Sequence, residues 1–315
     1  MPDNPHSSVL NPDLAVQTKQ QLKAPIAVLA DIASFGTQLM IRVWPHTNSQ
    51  MADAVMVFHL TRLVVMHVDG MRILTENGAG PTALLQLRGL LEASLLMDWM
   101  ELGDSETKAT YLQVGQWRKR RRLAQAFISG TPENADFVAS ISMAVTPQQE
   151  IDAHKEVGLI DTILKQAQLS PIDAAFAAAF KNYDKDWTEV YEREQQRAAG
   201  VQPKAFSIRA LADKVGRLRE YRYVYSKLSN EAHGSALSSS VSLTGSSFIG
   251  HGVRRMNEFG WIFRTAASWA LRAYRVILKR YLPNDQSLQQ RYLTEWKPVM
   301  DQDWKIVEIP ERTKI

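Results

Sequence analysis

The chain has 315 residues, of which 45% are hydrophobic and 22% charged, and its formal net charge is +4. This composition is typical of soluble globular proteins, and the small basic excess permits an anionic partner without requiring one. Because the sequence contains no cysteine, disulfides, thiolate metal sites and cysteine nucleophiles are excluded. A reducing cytosol is the compartment that fits best.

The first residues, "MPDNPHSSVLNPDL", are polar and proline-rich and lack the pattern of a secretory signal. The most apolar stretch, residues 55–68, is interrupted by two histidines and an arginine and falls short of the roughly 20 residues that span a bilayer. We therefore expect a soluble, cytoplasmic protein without a membrane partner.

The first part of the chain predicts four long helical regions. They cover residues 13–44, bent or divided near Pro25, then residues 51–77, 81–102 and 105–129. The segment "ENGAGP" closes the second region with the glycine and proline that are common at helix ends, and Pro81 suits the first turn of the third.

The middle of the chain predicts shorter and more polar helices. Thr146 is expected to cap one helix with Pro147 in its first turn, and Ser170-Pro171 repeats that pattern. We therefore interpret residues 130–206 as a helical insertion or subdomain. It separates the two parts of a helical body, 1–129 and 207–282, and residues 283–315 form a C-terminal extension.

The last third predicts helices at residues 207–233, 253–282 and 285–296. Strand patterns are nearly absent, and no internal repeat is visible. The predicted fold class is all-α, a multi-helix bundle with a smaller helical insertion.

Two charged residues fall on an apolar face of the helix that covers residues 81–102. At about 100° per residue, Arg88 and Glu92 lie among leucines and Trp99, one turn apart, and can therefore pair. A buried ion pair is costly compared with apolar side chains. The pair is therefore either a structural salt bridge in the core or part of a functional pocket.

A second polar row is predicted in "YSKLSNEAHG". Tyr221, Tyr225 and Leu228 share one stripe of the helical wheel, and the neighbouring stripe carries Arg222, Ser229 and His233. Gly234 suits the left-handed position that closes a helix, so that His233 lies in the last turn. This histidine is either a site residue or a structural one.

Two further stretches have open interpretations. The serine-rich run 235–247 predicts either a flexible lid or a connector. The cations of "WRKRRR" could contact a nucleic acid or an acidic partner, or could form a solvated helix surface. They are Arg118, Lys119, Arg120, Arg121 and Arg122.

Familiar catalytic motifs are absent from the sequence: there is no dinucleotide-binding glycine pattern, Walker A motif, nucleophile elbow or zinc-protease helix. His59 and His67 are eight residues apart on one helix, farther than the pairs on adjacent turns of zinc helices. We predict no metal and no cofactor.

The sequence resembles an uncharacterised bacterial all-helical family, one of the domains of unknown function. Members of that family carry R-x-x-x-E on an apolar helix and, later, Y-x-x-L-S-x-x-x-H-G-S. In this chain the two motifs are Arg88 with Glu92, and the run from Tyr225 to Ser235 that contains Ser229 and His233. The resemblance covers about residues 50–280.

A more distant similarity is to HEPN domains, which are helical dimers often found as ribonucleases in toxin and phage-defence systems. Their signature places an arginine four to six residues before a histidine, and an asparagine often follows the arginine. Here Lys227 stands where that arginine would be, and Asn230 is displaced. The similarity implies a homodimer, RNA as a partner and a protein partner in a defence system.

Two hypotheses follow. In the first, the chain is a metal-independent endoribonuclease. His233 is the general acid or base, Arg222 or Arg88 stabilises the charge on the phosphate, Glu92 orients the arginine, and Ser229 hydrogen bonds to the substrate or to His233. Further ligand contacts come from Tyr225, Lys227 and Asn230.

In the second hypothesis the chain is a non-enzymatic helical binding or effector protein. The Arg88, Glu92, Ser229 and His233 set is then a buried network that fixes helix register, or a pocket for a small ligand. The two hypotheses differ in solvent access, because catalysis requires the His233 ring and an arginine that open to a common cleft, whereas a structural network is closed to solvent.

Overall fold

The computed structural model describes residues 12–141, 144–179, 186–225, 228, 241–244, 247–250, 259–302 and 313–314. The predicted all-α class is confirmed, with three short strands among the described residues. The chain forms two compact units: Met1–Leu102 with Ile208–Ile315, and Gly103–Ser207. The division predicted from the sequence, at residues 129/130, 206/207 and 282/283, stays a prediction.

The first unit begins with four helices: α1 Pro12–Gln21, α2 Lys23–Val43, α3 Met51–Glu76 and α4 Gly80–Met100. The break expected near Pro25 falls at Leu22 instead. Pro25 is in the first turn of α2, where the backbone N–H groups have no partner within the helix, so a proline is tolerated there. Helix α3 contains a π-helical segment, Ala54–Leu60.

The second unit consists of α5 Ser105–Gln125, α6 Pro132–Ile141, α7 Pro147–Leu164, α8 Ser170–Ala179 and α9 Trp187–Ala198. The predicted cap of α7 is confirmed: Thr146 and Gln149 form a capping box. Tyr111 of α5 packs edge-to-face on Tyr191 of α9, with ring centroids 5.3 Å apart, and also contacts Phe176 of α8. An aromatic core therefore joins these three helices.

The chain then returns to the first unit with α10 Ile208–Lys214 and α11 Leu218–Glu220, which continues as a π turn, Tyr221–Tyr225. The single helix predicted for residues 207–233 is wrong at its start. Gly216 has a φ of 72° and ends α10, because this left-handed conformation is readily adopted only by glycine.

Three short strands follow the π turn in the chain. Strand β1 Val241–Thr244 pairs antiparallel with β2 Ser247–Gly250, and β2 pairs with β3 Thr313–Lys314. The serine-rich run was interpreted as a lid or connector, and its described residues lie in this small sheet. The sheet is a local addition to the helical body.

The last helices are α12 Phe259–Tyr281, α13 Ser287–Arg291 and α14 Lys297–Met300, with a π-helical turn, Tyr292–Trp296, between the last two. Helix α12 packs against α2, α3 and α4, and α4 also packs against α3. Trp99 of α4 and Tyr274 of α12 are fully buried there. Helix α4 is thus central to the first unit.

Two helical stretches of the first unit, Lys23–His46 and Met51–Glu76, have the length and apolar composition of a membrane span, with mean hydropathies of 1.5 and 1.4. The second is longer than the 55–68 stretch considered from the sequence. Half of each is buried inside the protein, as in the core helices of soluble proteins.

Candidate functional site

Arg88 and Glu92 form an ion pair on the central helix α4. The Nε of Arg88 donates to Oε1 of Glu92 at 3.1 Å. The two side chains are 27% and 37% exposed, so the pair opens to solvent although the helical wheel places both residues among apolar ones. Leu85, on the same side of α4, is also exposed. This arc of the helix is therefore the rim of its apolar face, and the expectation of a core salt bridge is wrong.

Tyr225 joins this pair from a part of the chain 137 residues away. The Nη2 of Arg88 donates to the Tyr225 hydroxyl at 2.8 Å, and the guanidinium carbon lies 4.9 Å from the centre of the tyrosine ring. Tyr221 stacks on the other tyrosine with centroids 4.7 Å apart. Stacking limits the rotamers of Tyr225 and so holds its hydroxyl at the arginine. We name Arg88, Glu92 and Tyr225 the arginine cluster.

The members of the arginine cluster shift one another's pKa values. Partial burial raises the pKa of Tyr225, and the charge and hydrogen bond of Glu92 raise it further, against the opposing effect of Arg88. Burial lowers the pKa of Arg88, but its bonds to Glu92 and Tyr225 outweigh burial and raise the pKa overall. At neutral pH the cluster therefore presents a protonated tyrosine and a fixed guanidinium.

The geometry of this cluster suits an anion. Within the described residues, Arg88 uses two of its five N–H donors, one on Glu92 and one on Tyr225. The remaining donors belong to a planar group whose orientation is already set. A planar guanidinium group can bind a phosphate or a carboxylate with two parallel N–H donors.

The other predicted site residues stand differently. Arg222 is exposed in the π turn, and Leu228 is fully buried, as the stripe of Tyr221, Tyr225 and Leu228 predicts. Lys227, Ser229, Asn230 and His233 lie outside the described residues. A π turn advances by a different angle per residue than an α-helix. The wheel that aligned Arg222 with His233 therefore does not hold across residues 221–225.

The comparison with known families matches residues 53–248 to one described as Family of unknown function (DUF5677). The match covers more than half of the chain and includes all three members of the arginine cluster. The chain belongs to this family. Neither a curated protein nor a solved structure matches it.

A buried arginine at the N-cap of α11 makes a second polar network inside the DUF5677 region, and the sequence patterns did not indicate it. Arg217 is 2% exposed. Its Nη1 donates to Ser94 at 2.7 Å and to Asp98 at 3.0 Å, and its Nε and Nη2 donate to the two carboxylate oxygens of Glu220. Arg272 of α12 also donates to Asp98, at 2.9 Å. This network joins α4, α11 and α12.

His67 of α3 packs directly on α4 at Gln86 and Gly89, which lie close to Arg88 in sequence. Its Nδ1 lies 2.9 Å from Oε1 of Gln86, and a Cβ at Gly89 would stand 2.3 Å from the imidazole Cε1. Gly89 is therefore required for this close approach. Among the residues that the structure describes, no group of three or more histidine, aspartate or glutamate side chains is placed to hold a metal.

Most arginines of the basic run bind acidic side chains within the second unit. Arg118 pairs with Asp173 of α8, Arg120 with Glu156 of α7, and Arg121 with Asp161 of α7. Arg122 and Lys119 line a shallow pocket with Glu133 and Asp136 of α6. These ion pairs give the arginines a role in holding α7 and α8 on α5. A nucleic-acid role for the run stays a prediction.

Proposed function

We propose that this member of the DUF5677 family is a metal-independent endoribonuclease that resembles HEPN enzymes and acts as a toxin or phage-defence effector. The observation that supports this proposal is the solvent exposure of the arginine cluster. A fixed guanidinium that opens to solvent can meet a phosphate, whereas a solvent-accessible ion pair contributes little to stability by itself.

In the proposed reaction, the 2′-hydroxyl of a ribose attacks the adjacent phosphorus. The new bond joins O2′ to phosphorus and the bond from phosphorus to O5′ breaks, which leaves a 2′,3′-cyclic phosphate and a 5′-hydroxyl. The 2′-hydroxyl proton passes to His233, and the leaving O5′ takes up a proton from the same acid–base system. No water or external reactant is consumed.

The described residues would stabilise the charge on the phosphate. Arg88 donates to the non-bridging oxygens, while Glu92 and Tyr225 hold its guanidinium in place. Arg222, Ser229, Lys227 and Asn230 are proposed as further contacts around His233. In keeping with the HEPN similarity, we propose that the enzyme is a cytoplasmic homodimer with an additional protein partner in the defence system.

The test is cleavage of labelled total RNA and tRNA in EDTA by purified variants. We expect His233→Ala and Arg88→Ala to lose at least about 100-fold in rate, since an acid–base group and a charge-stabilising donor each contribute about that much. Tyr225→Phe should lose less, because Glu92 still orients Arg88. The products should end in 2′,3′-cyclic phosphate.

Arg72→Ala is the matched control. Arg72 also pairs with a glutamate four residues away, Glu76 at 2.9 Å, and its side chain is 25% exposed. It lacks the tyrosine partner that distinguishes Arg88. The nuclease proposal fails if folded wild type leaves RNA intact, or if Arg88→Ala and Arg72→Ala cleave alike.

The alternative is a non-enzymatic binding or effector protein. The existing hydrogen bonds of the arginine cluster favour it, because a pre-oriented guanidinium is also what an anion-binding pocket needs. This alternative predicts that Arg88→Ala weakens binding of a phosphate ligand while wild type cleaves nothing. The same RNA assay, read by binding and by cleavage, separates the two functions.

A further inference from the structure

A wide groove runs along α12 on the surface of the first unit. Its volume is about 700 Å³, within the range of roughly 300–1,000 Å³ that is usual for ligand sites. One wall consists of side chains from α12, and the other comes from α13 and the π-helical turn that follows it. We name it the α12 groove.

The α12 wall is a row of cations. Arg272, Arg275 and Lys279 are exposed, line the groove and follow a spacing of three and four residues, which places them on one face of the helix. At 1.5 Å per residue they are about 4.5 and 6 Å apart along the helix axis. Such a row can contact several charges of a chain-like anion.

Two of the three cations of this wall are open to a ligand, because Arg272 already pairs with Asp98. Arg275 and Lys279 have no ion pair or hydrogen bond within the part of the chain that the structure describes. Of the two carboxylates that line the groove, Asp98 pairs with Arg217 outside it and with Arg272 of the wall, and Asp285 pairs with Arg42 outside it. Neutralisation of the carboxylates leaves the groove cationic.

The rest of the groove offers apolar surface and one aromatic ring. Leu271, Leu278, Leu288 and Met300 lie at its base and are buried, and Tyr292 stands on the opposite wall. A single-stranded nucleic acid needs both kinds of surface, cations for its phosphates and an aromatic face for its bases. An acidic peptide would use the cations alone.

The α12 groove and the arginine cluster share helix α4. Asp98 at the groove edge is ten residues beyond Arg88, about 15 Å along the helix axis. At a rise of about 3.4 Å per nucleotide, four to five nucleotides cover that distance. We propose that the α12 groove binds single-stranded RNA next to the scissile phosphate, an inference that rests on the proposed function.

The experiment measures binding of a fluorescein-labelled 12-nucleotide single-stranded RNA by anisotropy, in EDTA and at several salt concentrations. All proteins carry His233→Ala, so that cleavage does not interfere. The test variant is Arg275→Gln/Lys279→Gln. The matched control is Lys23→Gln/Arg209→Gln, which removes two cations of the same unit that are also exposed but lie outside the groove.

We expect Arg275→Gln/Lys279→Gln to raise Kd about tenfold and to reduce the salt slope by about 1.4, or 0.7 for each lost phosphate contact. Tyr292→Ala should raise Kd at least about fivefold through lost base stacking. The control should stay within twofold of its parent. Unchanged binding by Arg275→Gln/Lys279→Gln overturns the inference.

Two competitors distinguish other occupants. If adenosine monophosphate binds the groove as tightly as the RNA, the site is one for a free nucleotide, and the strand-binding proposal is wrong. Equally tight binding of polyglutamate would assign the groove to an acidic protein and would also overturn it.

Failure of the two proposals can be told apart. Groove-dependent binding without cleavage by wild type would remove the nuclease and keep the groove. Cleavage by wild type, together with an RNA affinity that does not change on substitution of Arg275 and Lys279, would keep the nuclease and remove the groove.

Discussion

The buried arginine at the N-cap of α11 gives the sharpest stability prediction. Replacing Arg217 with methionine keeps most of the volume of the side-chain stem but removes four hydrogen bonds to Ser94, Asp98 and Glu220. The carboxylate of Asp98 is only 13% exposed. The substitution therefore leaves a mostly buried charge with one fewer partner.

The size of the destabilisation depends on which interactions Asp98 and Glu220 retain. Removing one member of a buried ion pair costs about 3–5 kcal/mol. Asp98 retains Arg272 at 2.9 Å, and Glu220 is 34% exposed and can be solvated. The cost should therefore fall at the lower end, about 3 kcal/mol, with little added for a cavity because methionine fills the space.

Urea unfolding followed by circular dichroism measures this change. With a slope of about 2–3 kcal/mol per molar urea, the midpoint should fall by about 1–1.5 M. Arg272→Met is the control, because Arg272 contacts the same Asp98 but is 45% exposed. It should cost no more than about 1 kcal/mol. Equal midpoints for the two variants, or a loss below about 0.5 kcal/mol for Arg217→Met, would refute this reasoning.

Three other predictions concern stability. Burial raises the pKa of Glu220, but Arg217 outweighs burial and holds the pKa below the ordinary 4.5. The resulting stabilisation is present above about pH 4.5 and is lost as pH falls through the lowered pKa. The urea midpoint of wild type should therefore drop between about pH 5 and pH 3, and Arg217→Met should show less of that drop. Tyr274→Phe should keep or raise Tm, because the buried hydroxyl has no hydrogen-bond partner among the described residues. Gly36→Ala should lower Tm by several degrees, since its methyl group would stand 2.2 Å from that hydroxyl. A lower Tm for Tyr274→Phe, or an unchanged Tm for Gly36→Ala, would contradict this account. Thr146→Ala should cost about 1 kcal/mol in urea unfolding through the lost cap of α7, and an unchanged midpoint would show that the capping box contributes nothing.

Local features of this chain were predictable where short-range chemistry determines them. The start of α7 follows from Pro147 in its first turn and from Thr146 and Gln149, whose side chains and backbone bond to each other within one turn. The Arg88–Glu92 pair likewise follows from a spacing of four residues on a helix. Both features depend on residues that are close in sequence.

Exposure and long-range contacts were less predictable. A helical wheel shows that Arg88 shares an arc with leucines, but which part of that arc is covered depends on the packing of other helices. Tyr225 reaches Arg88 across 137 residues, and Arg217 reaches Ser94 across 123. Neither contact has a local sequence signature. The turn at Gly216 does have a local sequence signature, a glycine after a short helix. The helical pattern continues beyond this glycine, however, and therefore predicts a single helix.

The two arginine systems that contact α4 differ in solvent exposure. A network that fixes helix register should be closed, and Arg217 with Ser94 and Asp98 meets that requirement. Because that network already joins α4 to α11 and α12, the register of these helices does not depend on Arg88. An exposed ion pair contributes little to stability, about 0–1 kcal/mol. Arg88→Ala should therefore leave the fold intact, which makes the arginine cluster a site whose function can be tested by substitution without loss of structure.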